Sequence, residues 1–211
     1  MRGDALPDQS LTATQAQVDG RLGHGGLVIV VGPSGAGKDS LIEGYKAKVA
    51  GHSMLMFVRR LITRPAEAGH EDHEAISYTE LEKKIENGDV ALSWGAHNLL
   101  YALPKSVDSH IGSGGVAIAN GSRRIIPHAL AKYQHTLVIH ITAPVEVLAH
   151  RLAQRGRETE EDIASRLRRA EMTFGSAPNV TTIENVSSLD VGVALFEQAI
   201  ETFIKGLSQD R

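Results

Sequence analysis

Short apolar runs alternate along the chain with longer segments whose apolar residues recur at helical spacing. Leu27-Val28-Ile29-Val30-Val31 is a continuous apolar run, the pattern of a strand buried on both faces. Beyond a glycine-rich turn, Leu41, Ile42, Tyr45 and Val49 fall on one helical face, and Gly51 closes that helix. Met54 to Val58 predicts a second fully buried strand. A capping box from Thr79 to Glu82 predicts a helix start, with Leu81 and Ile85 as its stripe and Gly88 as its end. Val90 to Trp94 and Leu99 to Tyr101 predict two short strands. Gly115 to Ala119 predicts a buried strand, followed by a helix from about Arg123 to Tyr133 and a strand from Thr136 to Ile141. Pro144 suits the first turn of a helix carrying Val145, Leu148 and Leu152. Thr181 to Ile183 predicts a last strand, and Leu189 to Leu207 a terminal helix with Leu195, Ala199, Ile200 and Phe203 on its apolar face. Residues 61–74 show neither period and are long for a connection, which points to a functional loop. Alternating strands and helices predict an α/β fold, a mostly parallel sheet flanked by helices.

Composition narrows the class without changing the fold. The chain has 211 residues, no cysteine, 42% hydrophobic residues and a net charge of −3. Disulfides, thiolate metal sites and cysteine nucleophiles are excluded. The charge gives no general attraction to nucleic acid or to an anionic membrane. No apolar run is long enough to span a bilayer, and residues 1–26 lack the apolar core of a secretory signal. A cytoplasmic protein is therefore expected, with residues 1–24 as a loose N-terminal extension and 25–211 as one domain. A homodimer is left open.

The chemistry concentrates after the first strand. Gly32-Pro33-Ser34-Gly35-Ala36-Gly37-Lys38-Asp39-Ser40 matches the phosphate-loop pattern G-x-x-x-x-G-K-[ST] except at Asp39. Glycines let the backbone wrap a phosphate with its N–H groups inward, and the following helix turns its positive end to the same anion. Lys38 supplies a charge for the outer phosphates. These nine residues are the expected ATP site. Asp39 stands where a hydroxyl normally helps hold Mg²⁺, and a carboxylate is a hard oxygen ligand for the same ion. The strand ending in Asn120 lacks the acidic Mg²⁺ ligand common in this class, so Asp39 is expected to supply it.

Phosphoryl transfer needs positioned cations more than covalent help. Arg59, Arg60 and Arg64 follow the second strand, so they are expected to share the cleft of Lys38 at the carboxyl ends of the sheet. A third basic stretch runs from Arg151 to Arg169 among acidic residues. Arg168 and Arg169 also fit a salt-bridged helix face, whereas Arg155 and Arg166 flank a segment able to close as a lid. His70-Glu71-Asp72-His73-Glu74 has no zinc-motif spacing, and contact of Glu71 or Asp72 with Mg²⁺ or a sugar hydroxyl is expected instead.

From about Leu27 to Phe203 the chain resembles the guanylate-kinase branch of the nucleoside-monophosphate kinases. The phosphate loop, Thr63-Arg64-Pro65, Ser93-Trp94 and Arg155-Gly156-Arg157-Glu158-Thr159-Glu160-Glu161 carry the resemblance. It implies an acceptor-binding flap at about 59–101 and an arginine-rich lid at about 155–170. It places Arg64 on the acceptor phosphate, Arg155 and Arg166 as catalytic lid arginines on the donor phosphates, and Asn185 near adenine. Asp72-His73 stands for an Asp-Tyr pair of the acceptor loop. Ser93 replaces a glutamate that reads guanine, and Ala117 and Ala119 replace the acidic residues of the core-strand motif. With Lys38-Asp39-Ser40, these departures are similar to the ribose 1,5-bisphosphate phosphokinases of phosphonate degradation. That resemblance implies ATP and ribose 1,5-bisphosphate as substrates, Mg²⁺ as cofactor, 5-phosphoribosyl 1-diphosphate as product, and Trp94 beside the acceptor. Arg59, Arg60, Arg123 and Arg124 compete for the acceptor's second phosphate. A guanylate kinase with altered recognition and a non-catalytic guanylate-kinase-like binding module are the other readings the residues allow.

Overall fold

The computed structural model describes residues 21–65, 72–96, 98–154 and 179–209. Five parallel strands form the main sheet: β1 (Gly26–Val31), β2 (Leu55–Phe57), β7 (Val116–Asn120), β8 (Thr136–Thr142) and β9 (Val180–Glu184), in the order β2-β7-β1-β8-β9. The apolar run sits at the centre, where both edges are paired and both faces covered, and Leu27 to Val31 are fully buried. β2 is the edge strand and only half-buried, against the expectation of a fully buried one. Helices α1 (Lys38–Lys48) and α6 (Leu189–Gln209) cover one face, with Tyr45 edge-on to Phe196 at 5.7 Å. In α6 the buried stripe is Phe196, Ile200 and Leu207. Leu195, expected on that face, is exposed. Helix α5 (Val145–Gln154) packs on the same side through Leu148.

A second sheet, in the order β4-β3-β6-β5, stands over the other face. Its strands are β3 (Arg60–Ile62), β4 (His73–Ala75), β5 (Val90–Ala96) and β6 (Leu99–Pro104). Ile62, Trp94, Tyr101 and Leu103 turn toward the main sheet and share its core. Leu61, Val90 and Ala102 turn the other way, onto Leu81 of α2 (Tyr78–Glu86). The 61–74 segment is thus not merely a loop: it contributes β3 and the start of β4, each only three residues long and too short to show a period. The cap of α2 is Ser77, not Thr79. Ser77 Oγ accepts the Glu80 amide and Glu80 Oε2 accepts the Ser77 amide, both at 3.2 Å. Ile76 still donates to Ile62 O, so the chain passes from strand to helix within two residues.

Helix α3 (Ser106–Gly112) went unpredicted, with Val107 and Ile111 as its only apolar pair. The predicted Arg123–Tyr133 helix is a 3-10 turn (Arg123–Ile125) followed by α4 (Ile126–Lys132). The folded unit extends back to Leu22, which bridges Tyr133 and packs into the core. Residues 1–20 and the expected lid, including Arg155 and Arg166, lie outside the described residues. No described helix is long and apolar enough to cross a membrane.

A buried ionic network ties α3 and α4 to β5. Asp108 accepts from Tyr133 Oη at 2.6 Å and from Lys132 Nζ at 2.8 Å, and Lys132 also donates to Ala91 O. Burial pushes the Lys132 amine below its ordinary pKa, while Asp108 acts in the opposite sense. Removing one partner strands the other's charge, which costs about 3 kcal/mol or more. Asp108→Ala is expected to lose about that much in urea unfolding, and Asp108→Asn less, because it keeps an acceptor for Tyr133.

Candidate active site

The phosphate loop leaves β1 at the carboxyl edge of the sheet and enters α1 through Gly37, a left-handed residue at φ 91°. A Cβ there would lie 2.4 Å from Asn185 Nδ2, so the position demands glycine twice over. No side chain caps the first turn of α1, which leaves its amides directed at the loop's interior. Lys38 Nζ donates to the carbonyls of Gly32 and Pro33 at 3.0 Å each, which holds the ammonium over the loop.

Two braces fix the loop from behind. Asn185, buried between β9 and α6, donates from Nδ2 to Ala36 O at 2.8 Å. Arg151 on α5 donates to Asn185 O at 2.9 Å and to Gly35 O at 3.4 Å. Asn185 therefore contacts the loop itself. Arg151, grouped in sequence with the lid arginines, belongs to the scaffold. The helical period could have shown this, because Arg151 adjoins Leu152 and stands three residues from Leu148, both buried.

Asp39 lies in the first turn of α1, and Asn120 at the end of β7 donates to its Oδ1 at 2.6 Å. The sequence expected Asp39 to serve in place of an acid at Asn120, and the structure puts the two in contact. Oδ2 takes no hydrogen bond among the described residues. Beside them a cavity of about 310 Å³ is lined by Asp39, Lys46, Phe57, Arg59, Asp72 and Asn120. Among the described residues no three His, Asp or Glu side chains converge on a metal position.

On the flap, Arg59 forms an exposed ion pair with Asp72 at 2.8 Å and donates to His73 O. His73 is buried and brackets Arg64: its Nε2 lies 3.2 Å from Arg64 O and its Nδ1 3.5 Å from Arg64 Nη2. Arg64 Nε is buried without a hydrogen-bond partner among the described residues. Arg64 also lines a second hollow of about 450 Å³, with Tyr78 and Asn98, which includes no phosphate-loop residue. Ser93 pairs with Ala102, on the α2 side of the flap, whereas Trp94 and Tyr101 are turned to the main sheet. Arg124 donates to Gly95 O at 3.0 Å and acts as a strut.

Sequence gave no role to His140, at the end of β8. Burial pushes its pKa below the ordinary 6.5, and the charges of Arg123 and Lys38 push the same way. The imidazole is thus neutral at neutral pH beside those cations. The unfolded chain takes up a proton below about 6.5 that the native state resists. His140 therefore contributes stability that is full above 6.5 and is lost as pH falls through its depressed native value. His140→Asn is expected to flatten the stability–pH profile between about pH 5 and 7, measured by urea unfolding.

A parallel sheet with β1 at its centre, an intact phosphate loop at its carboxyl edge and a separate flap sheet define a P-loop kinase of the guanylate-kinase type. A guanylate kinase from Anaplasma phagocytophilum shares the fold, with a TM-score of 0.56 at 12% identity over 87% of each chain. No protein-family model matches the chain. The chain belongs to the ribose 1,5-bisphosphate phosphokinase family. It is 42% identical over 164 residues to the ribose 1,5-bisphosphate phosphokinase PhnN of Agrobacterium fabrum, covering 78% of this chain and 90% of that one. It is 40% identical over 187 residues to a bifunctional ribose 1,5-bisphosphokinase-thymidine phosphorylase of Cupriavidus necator, covering 89% of this chain and 31% of that one.

Proposed function

We propose that the protein transfers the γ-phosphoryl group of ATP to the 1-phosphate of ribose 1,5-bisphosphate, giving 5-phosphoribosyl 1-diphosphate. The observation that carries this reading is the family membership of a chain whose phosphate loop is complete up to Lys38 and opens onto an arginine-bearing flap. The loop amides and Lys38 hold the donor phosphates. Arg64 takes the acceptor phosphate, since its buried Nε, unpartnered among the described residues, is a donor that an anion would satisfy. The attacking oxygen is already anionic at neutral pH, so the flap must orient it and needs no general base. Arg155 and Arg166 complete the clamp from the lid.

Mg²⁺ is assigned to Asp39. A hard carboxylate steadied by Asn120, with nucleotide phosphates and water as the other ligands, suits an ion that takes few protein donors. When bound, it neutralises charge on the donor phosphates. Domain limits follow the same reading, with one kinase unit beginning at Leu22 rather than at residue 25, a flap at about 59–101 and a lid at about 155–170. ATP and phosphorylated sugars are cytoplasmic metabolites, and the reaction is assigned there.

The test is ADP release in a coupled assay with ATP and either ribose 1,5-bisphosphate or GMP. Turnover with the sugar and not with GMP is expected. Turnover with GMP alone would make the protein a guanylate kinase, and no turnover with either a binding module.

A further inference from the structure

The hollow at Arg64 includes no phosphate-loop residue, whereas the cavity of about 310 Å³ adjoins Asp39 in the first turn of α1. Transfer needs the acceptor oxygen within about 3 Å of the donor's outer phosphate. Under the function proposed above, on which this inference rests, the body of the acceptor therefore extends into the cavity at Asp39. Three charged residues of α1 line that cavity: Asp39, Glu43 and Lys46. Spaced by four and then three, they fall on one helical face. At 1.5 Å per residue, Glu43 lies about 6 Å along the helix from Asp39 and Lys46 about 10 Å. A phosphate reacting beside Asp39 thus sets the sugar ring that carries it level with Glu43 and Lys46.

Lys46 Nζ stands 3.5 Å from Glu43 Oε1, a loose pair in which both side chains reach water. The flap side repeats the arrangement, with Arg59 Nε 2.8 Å from Asp72 Oδ1, also exposed. Phe57 and Ile118 supply the apolar part of the lining, and Phe57 is set edge-on to Tyr45 at 5.9 Å. A carboxylate beside a cation suits a hydroxyl, which donates to the one and accepts from the other. It suits an anion poorly, because Glu43 and Asp72 would repel it. A flat base is also a poor match, since it calls for an apolar slot with few polar groups. A pentose ring matches both parts, with hydroxyls for the ion pairs and a C–H face for Phe57. Exposed pairs of this kind add little to stability, so Glu43 and Lys46 are not needed to hold the fold.

We infer that Glu43, with Lys46 beside it and Asp72 opposite, reads the ring hydroxyls of the acceptor and makes the site select ribose over deoxyribose sugars. The test measures kcat/KM of the full-length enzyme for ribose 1,5-bisphosphate and for its 2-deoxy and 3-deoxy analogues. The parent should prefer the ribose compound over at least one analogue by about 10- to 100-fold, the range of a hydrogen bond to a charged group. Glu43→Ala should lower kcat/KM for ribose 1,5-bisphosphate by about tenfold and shift that analogue by no more than about threefold, so the preference collapses. Glu43→Gln keeps an oxygen acceptor and should retain part of the preference. It also serves if the alanine variant does not fold. The KM for ATP and the midpoint of thermal unfolding should stay near parental in both variants, because the side chain is exposed. A parent that does not distinguish the three sugars, a preference that survives both substitutions, or an equal loss on all three sugars overturns the inference and leaves the proposed function standing. Turnover of none of the three by the parent overturns the proposed function, and this assignment falls with it.

Discussion

Replacing Lys38 with methionine is expected to lower kcat by about 10³-fold or more, the scale of removing a preorganised charge from a transition state. Methionine keeps much of the stem's length and removes the ammonium. That ammonium bonds the carbonyls of Gly32 and Pro33, so it stands over the place where outer phosphates would lie. The loop itself should persist. Asn185 and Arg151 hold it from the opposite side through Ala36 and Gly35, and neither contact involves Lys38. Thermal unfolding near the parental midpoint with turnover lost is thus the expected pair of results. A variant within tenfold of parental kcat would remove Lys38 from the chemistry.

Substituting Asp39 is expected to act on metal dependence. Asp39→Ala deletes the only carboxylate of the loop–helix junction and leaves the Asn120 amide without its acceptor. The Mg²⁺ concentration giving half-maximal rate should rise by about tenfold or more, since one direct carboxylate is much of what protein contributes to such a site. Asp39→Ser restores the hydroxyl of the usual phosphate-loop pattern and should recover part of the loss. Unaltered Mg²⁺ dependence in the alanine variant would show that the ion is held without Asp39.

The phosphate loop was legible because its chemistry is local. Nine consecutive residues between an apolar run and a helix fix the turn, the glycines and the cation. The Asp39–Asn120 contact spans 81 positions, yet it could be anticipated as well, since both residues stand at ends of predictable elements. The flap was harder. β3 and β4 have three residues each and draw their stability from pairing with each other and with β6, so their own pattern carried little signal. The faces of β5 were hidden for a related reason. A shift between Val90 and Leu92 in the β5–β6 pairing decides which residues of β5 turn to the main sheet, and a one-residue shift exchanges the faces.

Sequence alone determined that this chain builds a parallel sheet around Leu27–Val31 and cradles an anion at its end, because strand burial, turn geometry and helix start are properties of neighbouring residues. Tertiary structure decided which arginines serve as struts and which face the cleft. Arg151 and Arg124 bind backbone carbonyls, Arg59 pairs with Asp72, and Arg60 lies against two stacked rings. A guanidinium's role depends on what the fold brings within a few ångströms of it, and those partners come from elements far apart in the chain.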